Sequence, residues 1–118
     1  MCRSYRSFTY DSASEESFTV IAHRGASAYY PENTLPAFQG AIAMQADMLE
    51  LDVQLTSDGE VVVFHDETIS RCTNGRGRIA DHTLSQLKKL DAGSRFSKEF
   101  AGEKIPTLTD VLTVCKDN

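Results

Sequence analysis

The chain has 118 residues, of which 41% are apolar and 25% charged, and its formal net charge is −5. This composition is typical of one small globular domain. The lack of a basic patch argues against nucleic-acid binding, and no apolar run approaches the roughly 20 residues of a membrane-spanning helix. Cys2, Cys72 and Cys115 show no metal-like spacing, so we expect reduced thiols and a cytoplasmic protein.

The N-terminal residues 1–17 are Ser-rich and acidic after a short basic start, with no apolar stretch. We therefore expect a mobile extension and no signal peptide. The apolar run Phe18–Ala22 predicts a buried strand. Further along, Asn33 or Thr34 is a suitable helix cap and Pro36 suits a first helical turn, so a helix is predicted as far as about Ala46.

A second strand is predicted over Met48–Leu55, because its residues alternate in polarity. The turn at Ser57–Glu60 contains Asp-Gly, which favours a hairpin that returns along Val61–Phe64. Strand, helix and strand together form one βαβ unit, for which a right-handed parallel crossover is expected. The hairpin arm is an addition to that unit.

Two carboxylates one residue apart are the main chemical signal of the sequence. On a single strand, Glu50 and Asp52 point to the same face, where they repel each other unless solvent or a hard cation such as Mg²⁺ or Ca²⁺ compensates. A solvated strand face explains the pair equally well. Because His23 and His65 each follow an apolar run, we favour a metal-assisted site that uses acid/base histidines.

Residues 67–104 are less regular. The Gly-containing segment Thr73–Arg78 follows no clear strand and opens no helix, so a plain turn is favoured over a phosphate-binding loop. Thr83–Gln86 is a capping box that predicts a short helix with a Leu stripe. Ile105–Thr107 precedes another helix, whose apolar stripe is expected to be buried: Leu108, Val111, Leu112, Cys115.

These motifs, in this order, resemble the N-terminal half of the glycerophosphodiester phosphodiesterase family, from about Phe18 to Leu112. The segments that carry the resemblance are His23–Gly25, Pro31–Thr34, Glu50–Val53, Asp58–Gly59, His65–Asp66, Arg71, Thr73–Gly75 and Ile105–Leu108.

The resemblance implies a TIM (β/α)₈ barrel and hydrolysis of glycerophosphodiesters to an alcohol and glycerol 3-phosphate, assisted by a divalent cation. Matched position by position, Glu50 and Asp52 correspond to metal ligands, and His23 and His65 to the acid/base pair. Arg24 corresponds to the arginine that contacts the phosphate. The substrate is then a small molecule, and neither nucleic acid nor a membrane span is implied.

The chain also departs from the family pattern. A third metal carboxylate and the lysine that usually follows it have no counterpart before Asn118. A complete (β/α)₈ barrel needs roughly 250 residues. We therefore interpret residues 18–118 as a partial barrel, with the first two strands and helices plus a hairpin and insertion, and expect the 118 residues alone to be inactive.

Two alternatives remain at this point: a phospholipase D-like lyase on the same barrel, and a non-catalytic truncated module. The sequence also leaves open which histidine is the acid and whether water or a substrate hydroxyl is the nucleophile. Glu32 and Asn33 are further candidates for the site: Glu32 is equally well explained as a loop residue, and the other explanation for Asn33 is a helix cap. Asp66 is a neighbour of His65, but its side chain is expected to point away because neighbours alternate along a strand.

Overall fold

The computed structural model describes residues 18–118, so the expectations for residues 1–17 and Cys2 lie outside the described residues. The elements, in chain order, are β1 (Ile21–His23), α1 (Leu35–Ala43), β2 (Met48–Glu50), β3 (Val53–Leu55), β4 (Val61–Val63), a 3₁₀ turn (Ile79–Asp81), α2 (Leu84–Leu87), a second 3₁₀ turn (Lys98–Phe100) and α3 (Leu108–Lys116). The fold is of mixed α/β type.

Strands β1 and β2 pair in parallel, and α1 connects them. The register sets Ile21 opposite Met48 and His23 opposite Glu50. The predicted βαβ unit is therefore confirmed. Its first strand is shorter and less buried than predicted from Phe18–Ala22. Ala22 is buried, whereas Phe18, Val20 and Ile21 are at least half exposed.

The predicted single strand Met48–Leu55 is wrong, because the chain changes pairing partner within it. Residues before the break pair with β1, whereas Val53–Leu55 form an antiparallel hairpin with Val61–Val63. At the break, the carbonyl of Asp52 accepts a hydrogen bond from the Phe64 N–H at 2.9 Å. Glu50 and Asp52 are therefore not alternate residues of one regular strand, and strand alternation does not fix their relative orientation.

Helix α1 begins after Thr34, as predicted, with Pro36 in its first turn. The Thr34 hydroxyl does not cap the helix but donates to the carbonyl of Pro31 at 2.6 Å. The helix ends at Ala43, earlier than the predicted Ala46, and Gln45 follows with a φ of 60°. A residue with left-handed φ commonly follows a helix end.

Strand β4 of the hairpin and the segment that follows it enclose a second core. Its fully or nearly buried members are Val62, Phe64, Ile69, Ile79, Leu87, Ala92 and Ile105. The predicted capping box at Thr83 and Gln86 is present, and segment 73–78 is irregular and opens no α-helix. A second capping box joins Thr107 to Asp110 and starts α3.

Helix α3 packs against α1 and the hairpin through a single small cluster. Val111 is fully buried with Phe38 and Val63. The predicted apolar stripe is only partly buried, since Leu112 is 56% exposed. Strand β4 is also tied to the start of α3, because the Val63 N–H donates to the carbonyl of Pro106 at 2.9 Å.

Candidate functional site

The end of β1 lies beside the end of β2, which places two of the predicted site residues together. The Nε2 atom of His23 is 3.7 Å from Oε2 of Glu50. The His23 side chain is 64% exposed and that of Glu50 39% exposed. This pair is therefore open to a small molecule approaching that edge of the sheet.

Arg24 follows directly and adopts a left-handed conformation with a φ of 58°. This φ is uncommon for a residue with a side chain. The backbone N–H of Arg24 donates to the carbonyl of Glu50 at 2.9 Å and to its Oε2 at 3.1 Å. The Nη1 atom donates to Glu32 at 3.2 Å, and Nε is 3.4 Å from Oδ2 of Asp52. The guanidinium is thus held between two carboxylates.

Asn33 has a second left-handed φ, of 56°, and is 2% exposed. Its Nδ2 donates to Oδ2 of Asp52 at 3.1 Å, while its buried Oδ1 has no hydrogen-bond partner among the described residues. The sequence left this residue open between a helix cap and a site residue. The structure shows it in contact with a predicted metal carboxylate.

The donor set is compatible with a divalent cation. In the hydrogen bonds and ion pairs of the described residues, Glu50 is engaged through Oε2 and Asp52 through Oδ2. Among residues 18–118, one oxygen of each carboxylate therefore has no partner, and neither has the buried Asn33 Oδ1. Mg²⁺ and Ca²⁺ take such oxygen ligands. Within residues 18–118, however, no three His, Cys, Asp or Glu side chains form a metal-binding group, so the set is incomplete.

His65 lies just beyond β4, and its contact with Asp66 corrects the prediction. Nδ1 of His65 is 2.7 Å from Oδ1 of Asp66. The prediction that Asp66 points away is wrong, because β4 ends at Val63 and strand alternation no longer applies. The amide of Gln54 anchors this stretch of backbone by donating to the carbonyls of residues 64, 65 and 66 at 2.9, 3.2 and 2.7 Å.

Arg71 connects the His65–Asp66 pair to the group of residues around Arg24. Its Nε and Nη2 donate to the two carboxylate oxygens of Asp66 at 2.8 and 3.0 Å, and Nη2 also donates to Oε1 of Glu32. Glu32 in turn accepts from Arg24. A chain of charged contacts therefore runs from His65 through Asp66, Arg71 and Glu32 to Arg24.

The pKa shifts follow from these contacts. The hydrogen bond from Arg71 holds the pKa of Asp66 well below its ordinary value, against a partial burial that raises it. For Glu32, burial raises the pKa, but the hydrogen bonds and charges of Arg71 and Arg24 outweigh it and the net pKa is lowered. Burial and the nearby Glu32 charge raise the pKa of the Cys72 thiol to about 12.

The structure therefore brings four of the five predicted site residues into one connected group directly, and the fifth through intermediates. His23, Arg24, Glu50 and Asp52 meet at the ends of β1 and β2. Within the described part of the chain, His65 is connected to them through Asp66, Arg71 and Glu32. Of these three residues, Glu32 was left open between a site role and a loop role, Asp66 was expected to point away from His65, and Arg71 was given no role in the site. The sequence feature that could have identified them is that each is a charged residue within one of the motifs that carry the family resemblance.

Comparison with known proteins identifies the family to which this sequence is similar. Residues 23–118 match the glycerophosphoryl diester phosphodiesterase family. A glycerophosphodiester phosphodiesterase of Caldanaerobacter subterraneus subsp. tengcongensis is 57% identical over 98 residues, which are 83% of this chain and 40% of that protein. A Bacillus subtilis glycerophosphodiester phosphodiesterase is 47% identical over 107 residues, or 84% of this chain and 36% of that protein.

A solved structure gives the same result. The complex of an Oleispira antarctica phosphodiesterase with the product sn-glycerol-3-phosphate matches with a TM-score of 0.82 and 44% identity, over 84% of this chain and 40% of that one. The chain thus belongs to the glycerophosphoryl diester phosphodiesterase family, as its motifs predicted. It spans 36–40% of the length of these three relatives. Within residues 18–118, no helix has the length and apolar character to cross a membrane.

Proposed function

We propose that residues 18–118 are the N-terminal part of a longer enzyme that hydrolyses glycerophosphodiesters to an alcohol and glycerol 3-phosphate with the help of a divalent cation. The observation that carries this proposal is the convergence of His23, Arg24, Glu50 and Asp52 at the ends of two parallel strands. In open and closed α/β folds, this end of the strands is where ligands bind. The product bound by the Oleispira relative is sn-glycerol-3-phosphate, which supports the substrate class.

The partial (β/α)₈ barrel is part of the proposal. On the β1–β2 sheet, Ala22 faces Ala26 and Ala41 in a small cluster, whereas Ile21 and Met48 are 52% and 54% exposed. A parallel sheet is normally covered on both faces. Further strands of the longer protein would bury Ile21 and Met48 inside a barrel and supply the third metal carboxylate.

The roles of the charged residues follow from their positions. The guanidinium of Arg24, fixed between Glu32 and Asp52, is the planar cation suited to phosphate oxygens. Glu50, Asp52 and the unpartnered oxygen of Asn33 would hold the cation. When bound, such a cation supplies charge stabilisation at the phosphoryl oxygens.

The two histidines carry the protons. One accepts a proton from the attacking water as its oxygen bonds to phosphorus. The other donates a proton to the alkoxide that departs as the P–O bond breaks, so the products are an alcohol and a phosphate monoester. Both side chains are accessible, since His23 is 64% and His65 42% exposed.

The test uses the full-length protein and glycerophosphocholine as the substrate. His23→Ala and His65→Ala should each lower kcat by roughly 10²–10⁴, the usual worth of a general acid or base. His82→Ala is the matched control, because His82 lies outside the site and bonds to the carbonyl of Arg78. Activity should disappear on dialysis against EDTA and return with Mg²⁺ or Ca²⁺.

The reaction products separate this proposal from the lyase alternative. Phosphorus NMR should show glycerol 3-phosphate as the first product, with one oxygen from ¹⁸O-labelled water. A cyclic phosphate that accumulates without isotope incorporation would identify a lyase instead. Parental rates in both histidine variants, or full activity after exhaustive EDTA treatment, would contradict the assigned roles.

The cytoplasmic location expected from the sequence also belongs to the proposal. Cys72 and Cys115 are free thiols in the structure. Unpaired cysteines of this kind suit a reducing compartment. Fractionation of cells that express the full-length protein would test it, and recovery from the extracellular fraction would contradict it.

A further inference from the structure

We propose that Arg71 is a positioning residue that fixes His65 and Arg24 relative to each other through two carboxylates. This inference deepens the proposed function, since it assumes that His65 and Arg24 act on the substrate. It assigns a role to a side chain that reaches neither of them directly.

The guanidinium of Arg71 is engaged on two sides. It donates to both oxygens of Asp66, at 2.8 and 3.0 Å, and from the same group to Oε1 of Glu32. A planar fork that meets a carboxylate through two parallel bonds fixes orientation as well as distance. Lysine, with a single ammonium, does not reproduce that geometry. The contact joins residues 39 positions apart in the sequence.

The first consequence concerns the tautomer of His65. Asp66 is charged because the hydrogen bond from Arg71 lowers its pKa, so its Oδ1 accepts the Nδ1 proton of His65 at 2.7 Å. The proton is then held on Nδ1, which leaves Nε2 as the nitrogen that is available for proton transfer. Asp66 is the sole charged group within ion-pair distance of His65 in the described part of the chain.

Backbone and side chain of His65 are held by separate groups. Gln54 binds the carbonyls on both sides of the residue, so the backbone keeps its path without Arg71. Loss of Arg71 should therefore release the Asp66 carboxylate and the imidazole ring while leaving the loop in place. A defect in ring orientation can thus be separated from a defect in folding.

The second consequence concerns Arg24. Glu32 accepts from Arg71 through Oε1 and from Arg24 through Oε2, at 3.2 Å for the latter. One carboxylate therefore bridges two guanidinium groups, and each oxygen serves one of them.

The experiment compares Arg71→Met and Arg71→Lys in the full-length protein. Arg71→Met should lower kcat by about 10–100-fold, the usual effect of losing a residue that orients a ligand or catalytic group. KM should change less than kcat, because the phosphate-binding side chain remains. Arg71→Lys should recover only part of the loss, since it restores charge but not the fork. Arg76→Met, an exposed arginine of the same segment, is the control and should match the parent.

Nitrogen NMR of ¹⁵N-histidine-labelled protein gives a readout independent of turnover. The parent should show His65 as the Nδ1–H tautomer, and Arg71→Met should give a mixture of tautomers. His82 is the internal reference, because its Nδ1 bonds to a backbone carbonyl at 2.6 Å. An unchanged kcat together with an unchanged His65 tautomer in Arg71→Met would overturn the proposal.

Asp66→Asn provides a second route if Arg71→Met fails to fold. It should produce the same tautomer change, and the double variant should be no worse than the more affected single variant, because both act on one coupled group. Additive losses would overturn the proposal. If the protein lacks phosphodiesterase activity but the tautomer responds, the proposed function fails while the positioning role stands.

Discussion

The two regions that supply the site are packed in different ways. The β1–α1–β2 segment, residues 21–50, buries only small clusters and leaves Ile21 and Met48 more than half exposed. The segment from Val62 to Ile105 instead encloses a contiguous core of buried side chains. Strands carry His23 and Glu50 in the first region, and a loop anchored on a closed core carries His65 in the second.

This difference separates two ways of holding a functional group. Phe64 immediately precedes His65 and belongs with Val62 to the core of the second region, so that histidine is placed by packing within the chain. His23 and Glu50 are placed by β1 and β2. Among the described residues, α1 covers one face of these two strands, and the face that carries Ile21 and Met48 is uncovered. The second region should therefore be the more protected one, and substitutions should affect the two regions unequally.

The largest effect is expected in the closed core. Ile79→Ala should lower the free energy of unfolding by about 2–5 kcal/mol, because Ile79 is fully buried and the change leaves a cavity. In the 118-residue chain, Ile21→Ala is the matched control and should cost less than about 1 kcal/mol, because Ile21 is 52% exposed there. Urea titrations of both variants would measure this. Equal costs would show that Ile21 is covered by a partner.

A glycine pair gives the next contrast. Gly25 and Gly59 have φ values of 80° and 79°, so alanine is strained at either position by about 1–2 kcal/mol. A Cβ at Gly25 would lie 2.7 Å from the backbone of Ala37, whereas at Gly59 nothing lies within 4 Å. Gly25→Ala should therefore cost about 1–3 kcal/mol more than Gly59→Ala, because packed neighbours must move. Thermal unfolding of the two variants measures the difference, and equal costs would contradict the close approach.

The sequence predicted the elements better than it predicted the contacts between charged groups. Periodicity and capping residues located α1, α2 and α3, because the signals for helix starts are local. The Asp-Gly turn similarly located the hairpin of β3 and β4. The division of Met48–Leu55 into two strands was missed, since it depends on pairing with β1 and with Val61–Val63, which are distant in sequence.

For the site, too, the sequence predicted local features and missed contacts between residues that are distant along the chain. His23, Arg24, Glu50 and Asp52 were chosen from their motifs, and the structure brings them together. Asp66 was misplaced because local alternation was applied beyond the end of β4. The contact between Arg71 and Glu32 spans 39 positions, and no periodic pattern predicts such a pairing.

The contribution of Asp66 to the free energy of unfolding should depend on acid pH more strongly than that of an ordinary exposed carboxylate. The pKa of Asp66 is lowered in the folded protein, so the folded state binds fewer protons than the unfolded one. Its contribution to stability is present above the unfolded pKa of about 3.9 and is lost as the pH falls through the lowered folded value.

In Asp66→Asn, the free energy of unfolding should therefore fall less steeply as the pH is lowered. The reason is that up to about one proton fewer is taken up on unfolding. Urea midpoints between about pH 2 and 5 would measure the slope. Asp81→Asn, at an exposed carboxylate in the 3₁₀ turn, is the control. A steeper profile in Asp66→Asn than in the control would contradict the prediction.

The smallest effect concerns Cys72, which lies against the carboxylate bridge. Its Sγ is 3.5 Å from Oε1 of Glu32, and burial together with that charge raises the pKa of the thiol to about 12. The reactive species is the thiolate, so at pH 8 Cys72 should react with iodoacetamide at least about tenfold more slowly in the folded protein than in urea. Glu32→Gln should speed the reaction in the folded protein, because the negative neighbour is removed while the volume is kept. Mass spectrometry of the Cys72 peptide would follow both rates. Equal rates in folded and unfolded protein would show that the thiol is not held in this environment, and no acceleration in Glu32→Gln would assign the protection to burial alone.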